Sequence, residues 1–423
     1  MMELLHGKAR PAKRKTVLVG NAISGGGLAF VNSLSAADYR VITADFDGRW
    51  RRWRLPSSDD HYWLPAENQR EFESSLLDLV DRVRPDAFLP LGNHFAFTAS
   101  KNRDRIGRVT EVNVPPLASF LAAYNKCVCM DECARLRIPC PAFYSLDRAL
   151  DVLREHREAV LVVKPDYDRG AAAGVIYVHS GDELRTAVRE CEARFGRALI
   201  EEYIPGGVNA HRSVVLLFSP QSQLMAAFTE QKIRQWPETG GLIAVGRSTA
   251  DENLVKLALP FFEKWRWCGG AEVEFKRDSR SGQDKVIEIN PRFPGNLRFP
   301  IECGLDLAAL AANPVADNHT VAKAPFPSWP NLPGYSAGVE YFNPGLVVRL
   351  YLSKLRAGEL RGATLREGLR ETWGAAATMP RLLRDRLPWP DRVLARHQFD
   401  SSAPRLFEID AREPAGLRQE GPA

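Results

Sequence analysis

Short β-branched runs that alternate with helical stretches constrain this chain most, because that order predicts a parallel sheet with helices laid against its faces. Thr16 to Val19 is an apolar run that ends in Gly20-Asn21-Ala22 and Gly25-Gly26-Gly27, with the helix-like Leu28 to Leu34 behind it. A second apolar run, Arg40 to Ala44, closes on Asp45-Phe46-Asp47; an amphipathic helix over Phe72 to Val83 then leads to a third strand, Ala87 to Leu91. Ligands of such sheets gather at the carboxyl ends of the strands. The glycine loop with Asp45 at the tip of the second strand has one reading as a dinucleotide site, since an acid about 20 residues onward can hold a ribose hydroxyl. The register argues against it: Ala22 stands where the second glycine belongs, and Gly25 to Gly27 fall outside the G-x-G-x-x-G pattern.

A second set of elements begins after Pro115-Pro116. A helical stretch from Leu117 to Leu136 carries Tyr124-Asn125-Lys126 and stops at Ile138-Pro139-Cys140-Pro141. The strand Val160 to Val163 ends in Lys164-Pro165, a loop of small residues runs from Asp166 to Gly174, and the strand Val175 to Val178 follows. Gly181-Asp182-Glu183 opens the helix Leu184 to Phe195, and the strand Ala198 to Ile200 delivers Glu201, Glu202, Tyr203 and Ile204 into Pro205-Gly206-Gly207. This is a small β-β-α-β unit. Strands at Ser213 to Phe218 and Leu224 to Phe228, a helix at Glu252 to Lys264, and strands at Ala271 to Lys276 and Lys285 to Asn290 complete the pattern, with no internal repeat.

Length and composition narrow the class. At 423 residues the chain calls for two or three structural units, and its 45% hydrophobic and 26% charged residues are those of a globular protein. No stretch approaches the roughly 18 unbroken apolar residues of a membrane span. Met1 to Lys15 is basic and lacks the apolar core of a secretory signal, so a cytoplasmic location is expected. The odd count of 7 cysteines suits a reducing compartment, and the spacing of Cys127, Cys129, Cys133 and Cys140 matches no zinc pattern, so they are read as small buried thiols. A net charge of +5 is mild for this length. The Arg/Trp stretch Arg49 to Arg54 interleaves cations with aromatics as a phosphate-binding surface can, but no second patch supports it; a solvated loop and no nucleic-acid partner are expected.

The chemistry concentrates in the two late strands. Side chains alternate along a strand, so Glu288 and Asn290 share a face, which Arg292 continues if the chain stays extended. Across the loop Arg277 to Asp284, Glu272 and Glu274 share a face of the preceding strand, and an antiparallel pairing converges these oxygens on a hard-cation site. Mg²⁺ prefers a few carboxylates plus phosphate oxygens to an all-protein cage. Lys164, at a strand end beside a loop of small residues, suits a phosphate whose oxygens approach uncovered backbone, and Lys126 is a second candidate.

With these segments in order, the sequence resembles the ATP-grasp superfamily, in particular its carboxylate-amine ligase and carbamoyl-phosphate-synthase-like branch. The matching pieces are VVKPDYDRGAAAGV, LIEEYIPGG, QKIRQWPETGG, AEVEFKRD, VIEINPRFPGN and ECGLDL, spanning roughly residues 116 to 310. The resemblance implies an α/β (α+β) chain: a Rossmann-like pre-ATP-grasp domain over 1–115, an ATP-grasp domain over 116–325 with a small lobe near 145–207 and a large lobe near 208–325, and a helical C-terminal extension over 326–423. It implies that Lys126 and Lys164 hold the α- and β-phosphates of ATP, that Glu201 accepts from the adenine amino group, and that the backbone of Glu202 and Ile204 pairs with the adenine edge. Glu274 and Glu288 would bind one Mg²⁺ (or Mn²⁺), and Glu288 with Asn290 a second. Arg292 would face the transferred phosphoryl group, with Lys232 and Arg234 placed for substrate carboxylate or γ-phosphate.

Departures from the family pattern are Ala171 to Ala173 in a phosphate loop that usually holds more glycine and a serine, Asn209 near a common acid for the ribose, and Asn296 where serine is common. His211 is nearby as a base, although a lone histidine is more often structural. The implied reaction phosphorylates a small-molecule carboxylate to an acyl phosphate and joins it to an amine, releasing ADP and phosphate; carboxyphosphate chemistry and nucleotide binding without turnover are the alternatives. The basic amphipathic C-terminal helices are expected to pack on the core or on a second copy in a homodimer, with Glu413 to Ala423 disordered.

Overall fold

The computed structural model describes residues 14–46, 55–65, 71–167, 173–238, 240–313, 332–360 and 362–384. The cation/aromatic stretch 49–54, most of the small-residue loop (168–172) and the tail 413–423 lie outside the described residues.

The strands are β1 (Thr16–Gly20), β2 (Arg40–Phe46), β3 (Asp60–Leu64), β4 (Ala87–Pro90), β5 (Glu111–Val112), β6 (Phe143–Tyr144), β7 (Leu161–Pro165), β8 (Ile176–Val178), β9 (Ala198–Glu202), β10 (His211–Phe218), β11 (Leu224–Trp236), β12 (Leu242–Thr249), β13 (Gly269–Arg277), β14 (Asp284–Asn290) and β15 (Glu340–Phe342). They form a 5-stranded sheet in the order β3-β2-β1-β4-β5, a 4-stranded sheet β6-β9-β7-β8 and a 6-stranded sheet β14-β13-β10-β11-β12-β15. Every pairing in the first sheet is parallel, as the β/α alternation predicts. Its edge strand β3 escapes the pattern because Asp60 to Trp63 stay partly exposed and form no apolar run.

The helix Gly25–Ala36 joins the first sheet to the largest one. Phe30, Val31 and Leu34 share a buried cluster with Val17 and Val19 of β1, Val215 and Leu217 of β10, and Phe293, Leu297 and Phe299. At Gly26 a Cβ would stand 3.0 Å from the Pro294 carbonyl oxygen and 3.3 Å from that of Gly295, so the missing side chain lets the helix start against the turn that follows β14. The long helix expected over Leu117 to Leu136 is two helices, Leu117–Tyr124 and Lys126–Leu136. Asn125 is extended, and its side chain accepts from Val128 N at 3.0 Å, which starts the second helix with Lys126 in its first turn.

The largest departure from expectation is β11, which runs 13 residues instead of stopping near Phe228. Beyond Phe228 the strand turns polar, with Lys232 and Gln235 on a cavity wall, so the apolar signal fades while the ladder continues to β12, a strand that sequence periodicity does not separate. Lys232 pairs with Gly246 and Arg234 with Val245, so Ile233 is the extra residue of a β-bulge. The bulge reverses the alternation: Lys232 faces the cavity, and Arg234, expected beside it, turns away. Arg234 reaches Glu367 at 2.8 Å and the fully buried Glu371 at 3.6 Å on the helix Gly362–Arg384. The C-terminal segment, expected to pack on the core or on a second copy, closes the large sheet with β15 and packs Val347, Leu350, Tyr351 and Ala375 on Ala244 and Val245 of β12.

Arg234→Met should leave a buried carboxylate at Glu371 with only Tyr351 and Arg370 to compensate. The expected outcome is a loss on the order of 2 kcal/mol of unfolding free energy in urea titrations, with nucleotide affinity retained.

Candidate functional site

The three sheets converge on one cavity of ≈ 910 Å³. The small sheet lines it with Val162, Lys164, Glu201 and Ile204, the large sheet with Ser213, Lys232, Glu272, Glu274, Glu288 and Asn290, and the first sheet's loops with Asn21, Ser24, Gly26, Asp45 and Asn93.

Register places the acids. In the β13–β14 pair Glu274 lies opposite Glu288 and Glu272 opposite Asn290, so all four side chains face one side of the hairpin. Asn290 Nδ2 donates to Glu272 at 3.1 Å and to Glu274 at 3.2 Å, and its Oδ1 accepts from Arg292 at 3.3 Å. Arg292 Nε donates to Asn93 Oδ1 at 2.8 Å, tying the turn after β14 to the first unit. Glu274 and Glu288, opposed on neighbouring strands, are the carboxylates available to a hard divalent ion whose remaining ligands are phosphate and water oxygens, while Asn290 turns its NH2 to Glu272 and Glu274 and its oxygen to Arg292.

The lysines meet the acids at short range. Lys126 Nζ is 2.8 Å from Glu288 Oε2, and Lys164 Nζ is 2.7 Å from Glu201 Oε1 and 3.3 Å from the carbonyl oxygen of Ile287. Lys164 therefore bridges the small sheet to the strand that carries Glu288. Burial opposes ionisation of Glu288, but Lys126, Lys164 and Arg292 together outweigh it and pull the carboxyl down to about 2. Glu201 goes the other way: its burial exceeds the pull of Lys164 and raises its pKa. Its second oxygen, Oε2, is buried without a hydrogen bond among the described residues, an acceptor left for a donor in the cavity.

Glu202 alternates to the opposite face, where Arg280 and Lys285 (3.1 Å) bind its carboxylate; its N–H donates to Ala142 O at 2.7 Å. Of the Glu202 backbone expected on the adenine edge, the N–H is thus engaged elsewhere. Ile204 remains on the cavity wall. Lys232 Nζ donates to Gly241 O at 3.0 Å and stands 4.0 Å from Glu274. His211 lines the cavity, and burial together with Lys232 and Lys276 drops its pKa to about 3, so it is a neutral imidazole at pH 7. Asp45, weighed above as a ribose ligand, instead accepts from Ile23 N at 3.0 Å and braces the glycine loop.

Sequence reasoning missed Glu230. It is fully buried on β11 and accepts from Ser213 Oγ at 2.9 Å and from Asn296 Nδ2 at 2.8 and 2.9 Å. The two-residue step from Glu230 to Lys232 was the available signal, but the apparent end of the strand at Phe228 hid it. Burial raises Glu230 to about 7 against the hydrogen bonds of Asn296 and Ser213; Glu272 also rises to about 7, through burial and the nearby Glu230.

Comparisons with known proteins bear on the fold. No protein-family model matches the chain. The carbamoyl phosphate synthase large chain, N-terminal section, of Methanopyrus kandleri is 27% identical over 237 residues, 51% of this chain and 40% of its own length. The arginine-specific carbamoyl phosphate synthase large chain of Lactiplantibacillus plantarum is 24% identical over 297 residues, 66% of this chain and 28% of its own. This chain therefore spans at most 40% of the length of either relative. Among solved structures, the biotin carboxylase of Campylobacter jejuni superposes with a TM-score of 0.58 at 14% identity, covering 71% of this chain and 70% of that one. The chain has the ATP-grasp fold of these proteins. The same ATP-grasp architecture recurs in the L-amino acid ligase of Bacillus licheniformis, with a TM-score of 0.54 at 17% identity over 71% of this chain and 74% of that one. It recurs also in the biotin carboxylase domain of the Hydrogenobacter thermophilus 2-oxoglutarate carboxylase, solved in complex with MgADP, ADP and bicarbonate, with a TM-score of 0.57 at 16% identity over 70% of this chain and 69% of that one.

The raised pKa of Glu230 carries a stability signature. Its folded value of about 7 exceeds the usual 4.5, so the ligand-free protein binds a proton there on folding, and this contribution is lost as pH rises from 4.5 through 7. Glu230→Gln should remove that dependence: relative to the variant, the parent loses on the order of 3 kcal/mol across this window. Urea unfolding of both proteins at pH 5 and pH 8 reads the difference.

Proposed function

We propose that this chain is an ATP- and Mg²⁺-dependent ligase that phosphorylates a carboxylate to an acyl phosphate and condenses it with an amine, releasing ADP and phosphate. The observation that carries the reading is the meeting of Lys126 and Lys164 with acidic side chains in one cavity, cations and carboxylates within 2.8 Å of one another. Such pairs are what a nucleotide and its counter-ion exchange with: the lysines turn to phosphate oxygens, Glu288 is released to the metal, and Glu201 to the adenine amino group. The complex of a structurally similar biotin carboxylase domain with MgADP and bicarbonate supports the same choice of ligands.

A carboxylate resists displacement by an amine until its oxygen becomes a leaving group. Phosphoryl transfer needs in-line positioning and cations where charge sits in the transition state more than it needs covalent help. In this proposal Lys126 and Lys164 anchor the phosphates, Glu201 Oε2 accepts the adenine amino N–H, and Ile204 walls the base. Glu274, Glu288 and Asn290 would hold Mg²⁺, which neutralises phosphate charge when bound. Arg292, oriented by Asn93 and Asn290, and Lys232, anchored on Gly241, present cations to the reacting carboxylate. Domain limits fall near residues 115 and 325 in this reading, and the lobes built on β7–β9 and β10–β14 clamp ATP and keep water from the acyl phosphate.

Carboxyphosphate chemistry is the second reading, and the carbamoyl phosphate synthase relatives favour including it. Purified protein with MgATP should release ADP and phosphate when given members of an amino-acid panel as acid and amine; release with bicarbonate and ammonia alone selects the second reading. AMP and pyrophosphate as products would rule out both. Glu288→Gln should lower turnover roughly a hundredfold or more with an unchanged circular dichroism spectrum; undiminished turnover removes Glu288 from the metal set.

A further inference from the structure

We infer that Glu230 is a positioning residue that holds the Asn296 amide with its oxygen toward the cavity, making this wall an acceptor for an N–H of the amine substrate. The inference rests on the ligase reading above and names a specificity element within that site. Glu230 is absent from the cavity lining, whereas Asn296 and Ser213 belong to it. Ser213 Oγ donates to Glu230 Oε1 at 2.9 Å, and Asn296 Nδ2 lies 2.8 Å from Oε1 and 2.9 Å from Oε2. The nitrogen end of the Asn296 amide faces both Glu230 oxygens, the orientation that an ionised carboxylate, which only accepts, enforces. The amide is planar, with its oxygen on the other branch, so fixing the nitrogen inward turns Oδ1 outward to the cavity. Asn296 Oδ1 accepts no hydrogen bond among the described residues, and Glu272 on the same cavity wall is another acceptor.

The buried carboxylate is otherwise without purpose. A well-packed apolar residue of similar size fills such a position at no electrostatic cost, so an acid persists there at the expense of stability. Setting the polarity of Asn296 accounts for it. An ammonium or amine N–H arriving beside Lys232 and Arg292 meets oxygens on this side, where a reversed amide would present N–H to N–H.

The test uses the full chain and carbon-13-labelled methylammonium chloride as probe, observed on the methyl resonance. Glu230→Gln puts an N–H within hydrogen-bond distance of Asn296 Nδ2 whichever way the new amide turns, because both carboxylate oxygens already contact that nitrogen. Relief requires Asn296 to rotate and offer a donor to the cavity. Asn296→Ala, at the cavity surface, removes the acceptor while Glu230 keeps its bond from Ser213, and carries the test if the first variant does not fold. Both variants should bind methylammonium about tenfold more weakly than the parent, the loss expected for one hydrogen bond to a charged donor. MgATP affinity by calorimetry should be the same in all three, which a general loss of structure would not give. Equal methylammonium affinity in the three proteins, or none in the parent, overturns the inference. Failure of the parent to bind MgATP strikes the ligase reading instead, and is read separately.

Discussion

The register of one antiparallel pair underlies the whole site. Because Glu274 stands across from Glu288 and Glu272 across from Asn290, four oxygen-bearing side chains face the same side, and a slip of one residue would send half of them to the opposite face. That concentration of negative charge is tolerable only with cations brought from elsewhere. Lys126 comes from a helix that begins at a capping asparagine, Lys164 from the end of a strand in the small sheet, and Arg292 from the turn after β14. The charges thereby link three sheets.

The pairs also explain the spread of ionisation across the cavity. Glu288, met by Lys126, Lys164 and Arg292, is held ionised, whereas burial outweighs the more distant cations at Glu230 and Glu272, which sit near neutrality. Carboxylates on neighbouring strands thus differ in charge state because of partners that lie far away in the chain.

Much of this was legible in the sequence where local pattern and chemistry coincide. The β/α alternation before residue 91, the small β-β-α-β unit, and the E-x-E and E-x-N strands emerged from periodicity, and the side chains of Lys126, Lys164, Glu201, Lys232, Glu274, Glu288, Asn290 and Arg292 do meet in one cavity. What stayed hidden has a common cause: a strand whose side chains face a polar cavity has no apolar run to mark it. β11 was cut short at Phe228 for that reason, and with it went Glu230 and the bulge at Ile233 that swings Arg234 out of the site. β3, an exposed edge, and the break at Asn125 were lost similarly, since each is decided by tertiary surroundings and a cap instead of by hydrophobic spacing.

The closure of the large sheet by β15 has a bearing on how the molecule is divided. β12 is the neighbour of the strand that carries Lys232, and its outer edge is covered by residues 340–342, whose following helices also hold Arg234. A fragment cut after residue 313 would therefore bare a row of unpaired backbone groups one strand away from the cavity wall, inviting edge-to-edge association. Residues 332–384 thus serve as the selvedge of this sheet, so modular swaps with chains of the same fold belong beyond them.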